Sequence, residues 1–128
     1  MFTHTRAFSG FSVPDLAEAK KFYGDTLELT VKEIPEGLEI HLTGGGIVFI
    51  YPSTDYTAPE CTILNFVVDD IEKAVDELNG KGIEMEQYDM PYIKTDAKGI
   101  ARDMEGGPKA IAWFKDPADH ILSVIQEK

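Results

Sequence analysis

The chain carries one unit twice. Phe11-Ser12-Val13-Pro14-Asp15-Leu16-Ala17-Glu18-Ala19 runs from an apolar stretch through an aspartate into an amphipathic helix start. Phe66-Val67-Val68-Asp69-Asp70-Ile71-Glu72-Lys73-Ala74 repeats it, with Phe11 matching Phe66, Asp15 matching Asp70 and Ala19 matching Ala74 at one constant offset. Two copies fall short of the about three units that a solenoid needs. They predict instead a pseudo-twofold pair of modules that share one site.

At 128 residues the chain is one domain, long enough to bury a core. Its formal charge of −11 disfavours nucleic acid and anionic membrane surfaces as partners. No apolar run approaches the ~20 residues of a membrane helix, and no signal-peptide core opens the sequence. Cys61 is the lone cysteine, which rules out an internal disulfide and fits a reducing, cytoplasmic setting. It has no basic partner nearby in sequence and reads as an inert thiol.

Residues 7–13 read as a strand, with Asp15 as the N-cap of a helix and Glu18 completing a capping box. Leu16, Ala19 and Tyr23 mark that helix's buried stripe. Thr30 to Ile34 is a short strand. Leu38 to Thr43 alternates with period two, Gly44-Gly45-Gly46 turns, and Ile47 to Tyr51 returns. The second module repeats the order: a strand from Thr62 to Val68, then a helix lined by Ile71, Ala74, Val75 and Leu78. Asn79-Gly80-Lys81-Gly82 ends the helix and Ile83 to Tyr88 is read as a strand. Ala110 to Lys115 and Ile121 to Gln126 form a closing hairpin turned by Asp116-Pro117-Ala118-Asp119. The modules are therefore β-α-β-β-β over about 7–55 and 62–126.

Residues 89–108 remain as a connection far longer than the usual ~4–6 residues. They are expected to close as a lid over the shared site. Tyr88 and Tyr92 would flank its mouth, and Arg102 would meet an anionic group on a ligand.

Val13-Pro14-Asp15-Leu16, Lys21-Phe22-Tyr23 and Leu27-Glu28-Leu29 stand in an order that resembles the vicinal oxygen chelate superfamily. That group includes glyoxalase, bleomycin-resistance proteins and extradiol dioxygenases. Glu28 stands where the family's Leu-Gly-Leu signature has glycine. Val68-Asp69-Asp70-Ile71 with Lys81-Gly82-Ile83 is similar to the second-module counterpart. Trp113-Phe114-Lys115-Asp116-Pro117-Ala118-Asp119-His120 is similar to the family's Asp-Pro hairpin. The resemblance implies an α+β fold of two paired βαβββ modules, whose mixed sheet curls into a cup with helices on the outer face. A homodimer is expected, since closed symmetric pairs are common and sheet edges need cover.

The resemblance also implies a divalent metal held by His, Glu or Gln at four strand positions. Seven residues before Asp15 stands Phe8, and seven before Asp70 stands Ile63. Seven after Asp116 stands Ser123, and the remaining candidates are Val48, Phe49 and Ile50. Such an ion needs imidazole or carboxylate donors. No metal and no other cofactor is therefore expected.

Strand parity gives the cup its lining. Phe8, Gly10 and Ser12 share one face; Ile63, Asn65 and Val67 share another. Leu38, Ile40 and Leu42 face the helices, so Glu39, His41 and Thr43 look inward. Counting across the glycine turn sets His41 by Phe49 and Glu39 by Tyr51, while Ser123 brings Ile121 and Ile125. The expected ligand site is then Phe8, Phe49, Tyr51, Ile63, Asn65 and Ser123, with Tyr88, Tyr92 and Arg102 at its mouth. A largely apolar lining with a few polar points suits a small molecule. One reading is a metal-independent protein that traps an apolar or aromatic compound by sequestration. The rival is a divergent lyase, isomerase or dioxygenase that uses His41 with Glu39 or Tyr51 as an acid–base pair, or an unorthodox metal site. A third is a protein whose pocket is filled by its own side chains.

Overall fold

β1 (Ser9–Val13) leads into α1 (Leu16–Lys20), and the turn between them is fixed by one carboxylate. Asp15 Oδ1 accepts the Glu18 N–H at 3.1 Å, which satisfies an amide that the helix leaves unpaired. The computed structural model describes all of residues 1–128, in two compact units, Met1–Thr57 and Ala58–Lys128.

In the first unit α1 widens into a π-helical turn over Lys21–Thr26, closed by Leu27 N–H on Phe22 O at 2.9 Å. β2 (Thr30–Ile34), β3 (Gly37–His41) and β4 (Ile47–Pro52) follow. The sheet order is β1-β4-β3-β2, with β1 parallel to β4 and the other pairs antiparallel. One sheet face carries Val13, Leu38, Ile40, Val48 and Ile50, all buried along with Ala19, Phe22 and Tyr23 of the helix. Each such side chain contributes about 1.5–3 kcal/mol when fully buried.

Glu28 takes φ 60°, the left-handed region that the glycine of the family signature would occupy freely. Glu28→Gly is expected to gain about 0.5–1 kcal/mol by relieving that strain, net of the added freedom of the unfolded chain. The midpoint of urea unfolding checks it; a lowered midpoint would show that Glu28's own contacts outweigh the strain.

The second unit repeats the plan. β5 (Thr62–Val67) leads to α2 (Ile71–Gly80), and Asp70 Oδ1 accepts Lys73 N–H at 3.2 Å. The two N-caps have nearly the same φ/ψ, −133°/105° at Asp15 and −137°/103° at Asp70, so the sequence repeat is a repeat of geometry. A two-stranded hairpin of β6 (Asp89–Met90) and β7 (Ile93–Lys94) precedes β8 (Ile100–Arg102), β9 (Ala110–Lys115) and β10 (Ile121–Gln126). The main sheet has the order β5-β10-β9-β8, so β8 takes the place that β2 holds in the first unit.

That assignment corrects the expected strand over 83–88. Only a single bridge forms there, Met85 to Phe114, supported by Glu86 N–H on Trp113 O at 2.8 Å. Ile100 then pairs with Ala112. From Met85 to Ile100 the edge chain advances fifteen residues while β9 advances two, so residues 87–99 are looped out of one edge strand. Gly99 closes the loop at φ 83°, where a Cβ would stand 2.8 Å from Met85 Cβ and 3.0 Å from Glu86 O. Only glycine fits that crossing. Residues 89–108 are therefore not an open connection: they hold a hairpin and an edge strand. The core on the α2 side is Ile71, Val75, Leu78, Ile100, Ala112, Phe114, Leu122 and Val124. No helix is long and apolar enough to cross a membrane.

Candidate functional site

The first unit's sheet has one face that its helix does not cover, and the register decides what meets there. β1 against β4 sets Gly10 beside Phe49 and Ser12 beside Tyr51. β3 against β4 sets Glu39 beside Phe49 and His41 beside Ile47. The expected pairs, His41 with Phe49 and Glu39 with Tyr51, are thus off by two residues. The cause is the turn: Leu42 N–H already donates to Gly46 O at 2.8 Å, so only Thr43, Gly44 and Gly45 are left in the loop.

Phe8 stands just before β1, 58% exposed, its ring edge-on to Phe49 at 6.3 Å. Phe49 stacks on Tyr51 at 5.5 Å, and Tyr51 is 42% exposed. Phe8, Phe49, Ile34 and Ile47 floor a hollow of about 250 Å³, with Arg6, Glu36 and Glu39 at its walls. The Arg6 guanidinium lies 5.6 Å from the centre of the Phe8 ring. His41 Nε2 donates to Glu39 Oε1 at 3.1 Å, both side chains being partly exposed. Sequence reasoning missed Arg6, Ile34, Glu36 and Ile47. Parity would have found Ile47, two residues before Phe49, and Ile34 follows from its pairing with Gly37. Nothing in the sequence marks the tail residue Arg6.

The corresponding face of the second unit is covered by its own chain. Ala101, Ile111 and Trp113 form a buried cluster, and Tyr88, Ile93, Met104, Ile121 and Ile125 pack on it. Tyr88 meets Trp113 edge to face at 5.4 Å. Burial pushes the Tyr88 hydroxyl above its usual pKa, and the charge of Glu86 adds to this. Ser123 is wholly buried, and its Oγ donates to Asn65 Oδ1. Ile63 is half-buried on the neighbouring strand, and Tyr92 stands 74% exposed between β6 and β7.

Arg102, expected at the mouth, has acids of its own unit within reach. It alternates with Ala101 to the α2 side of β8, where it reaches Glu72 at 3.8 Å and Asp96 at 3.7 Å.

The family's metal does not fit these residues. Phe8 and Ile63 offer only carbon, and the Ser123 hydroxyl is committed to Asn65. No three His, Cys, Asp or Glu side chains gather in a way that would hold an ion. Glu39 and His41 supply two donors, short of the three or four that a divalent site uses.

Similar folds are known. A glyoxalase family protein from Enterococcus faecalis shares 23% identity over 98% of this chain and 99% of its own, with a TM-score of 0.66. TnmS3, an antibiotic binding protein from Streptomyces sp. CB03234, shares 18% over 98% and 99%, with a TM-score of 0.63. The genomically encoded fosfomycin resistance protein FosX from Listeria monocytogenes shares 12% over 96% and 93%, with a TM-score of 0.67. No curated protein matches the chain. The profile described as Glyoxalase/Bleomycin resistance protein/Dioxygenase superfamily matches residues 2–124. With repeat, caps and closing hairpin all in register over that span, the chain belongs to the glyoxalase/bleomycin resistance protein/dioxygenase superfamily.

Proposed function

We propose that this protein binds a small apolar or aromatic molecule, without a metal, in the hollow of its first unit. The observation that carries the reading is the contrast between the two modules. One sheet face is covered by its own Tyr88, Ile93 and Met104, while the other leaves Phe8 and Tyr51 in water beside a hollow of about 250 Å³. An uncovered aromatic cluster beside a concavity is what a ligand site offers. An antibiotic binding protein among the similar folds agrees with sequestration.

2-Naphthol is a suitable probe, because a fused pair of rings fits that volume. Phe49→Ala removes the central ring and is expected to weaken 2-naphthol binding about ten-fold by fluorescence titration. Equal affinity in both proteins would place the ligand elsewhere.

The 3.1 Å His41–Glu39 contact supports a catalytic alternative. Glu39 would fix the tautomer and leave His41 Nδ1 as a general base. His41→Gln would then abolish turnover while leaving 2-naphthol binding intact.

A further inference from the structure

We infer that the hollow takes a ligand that joins an aromatic or apolar body to a cationic head, and that the guanidinium of Arg6 holds that head's place in the free protein. The inference rests on the reading of the first unit as the ligand site. Arg6 comes from the tail before β1, lies 5.6 Å from the Phe8 ring centre, and forms no ion pair. A ring face attracts a cation through its quadrupole, and more so where water is thin. The chain thus supplies a cation of its own to a ring that is 58% exposed.

The surrounding charge points the same way. Glu36 and Glu39 both line the hollow, against Arg6 alone. Glu36 is exposed on the β2–β3 turn with no partner, and a neutral His41 that donates to Glu39 leaves the carboxylate charge in place. Lys32, the cross-strand neighbour of Glu39, is exposed and does not line the hollow. An anionic ligand would meet two carboxylates over an apolar floor that weakens screening. A cationic head would gain from both acids and from the Phe8 ring, and the tail would release Arg6 to water.

Three one-ring probes test this: phenyltrimethylammonium, benzyl alcohol and benzenesulfonate, read by amide chemical shifts of Glu39, Ile47 and Phe49. The cation is expected to bind tightest, about ten-fold tighter than the sulfonate. Arg6→Gln should tighten the cation about three-fold by removing its competitor, and Glu39→Gln should weaken it about five-fold. A sulfonate that binds as tightly as the cation would overturn the inference while leaving the hollow as a site. So would a Glu39→Gln protein with unchanged cation affinity, or an Arg6→Gln protein with unchanged or weakened affinity. If none of the three probes moves those amides, the inference and the site reading fail together.

Discussion

Gly37→Ala is expected to lower stability by about 3 kcal/mol or to prevent folding altogether. A Cβ built on Gly37 would stand 2.1 Å from the Ile50 carbonyl oxygen and 3.2 Å from Tyr51 Cα. Both obstacles are backbone, and both belong to β4, which is held by β1 on one side and β3 on the other. Neither can move without breaking the pairs Leu38–Ile50 and Phe11–Ile50 in the middle of the sheet. Gly46 provides the control. Its Cβ would meet only Leu42 Cδ1, at 3.9 Å, so Gly46→Ala should stay within about 0.5 kcal/mol of wild type. Urea unfolding of both variants decides the matter, and equal midpoints would refute the argument. Gly37 also shares the face of Glu39 and His41, so a folded but shifted variant should lose 2-naphthol binding too.

Local chemistry makes much of this fold legible in the sequence. Asp15 and Asp70 cap their helices because a carboxylate three residues before an unpaired amide satisfies it wherever the pair occurs. Alternation separates Leu38 and Ile40 from Glu39 and His41 correctly, since a strand has only two faces. Register is not legible, because it depends on where a turn closes. One bond from Leu42 to Gly46 shifts every cross-strand neighbour by two. The edge strand of the second unit is hidden for a related reason. Ile83 to Tyr88 has the composition of a strand, but pairing stops after Met85 and resumes at Ile100. Neither fragment is long enough to show a period. Tyr88, expected beside the mouth of the site, packs with Ile93 and Met104 on Trp113 within its own unit. The contact of Arg6 with Phe8 depends on the path of a tail that has no pattern at all.

His120 is the least legible residue, and it supports the second large expectation. Its sequence neighbours are those of a polar turn, yet it is buried with Asp116 inside the closing hairpin. Asp116 Oδ1 accepts the N–H groups of Ala118 at 2.9 Å and His120 at 2.8 Å, while Oδ2 pairs with His120 Nδ1 at 2.8 Å. Asp116→Ala would remove these three contacts, one of them to a wholly buried ring. An unsatisfied buried group costs about 1–3 kcal/mol, so the loss is expected to reach about 3–5 kcal/mol. Asp116→Asn should cost less, about 1–2 kcal/mol. Its amide oxygen still accepts from both backbone groups, and its NH₂ can donate to His120 Nδ1 once the imidazole carries its proton on Nε2. The ordering of the two variants in urea unfolding is the test, and an Asp116→Ala protein as stable as wild type would overturn it. The turn sets β10 against β9, from Ile121 opposite Lys115 to Gln126 opposite Ala110. A single aspartate in the Asp-Pro motif therefore closes the turn that joins two strands, which is a physical reason for an acid at that position.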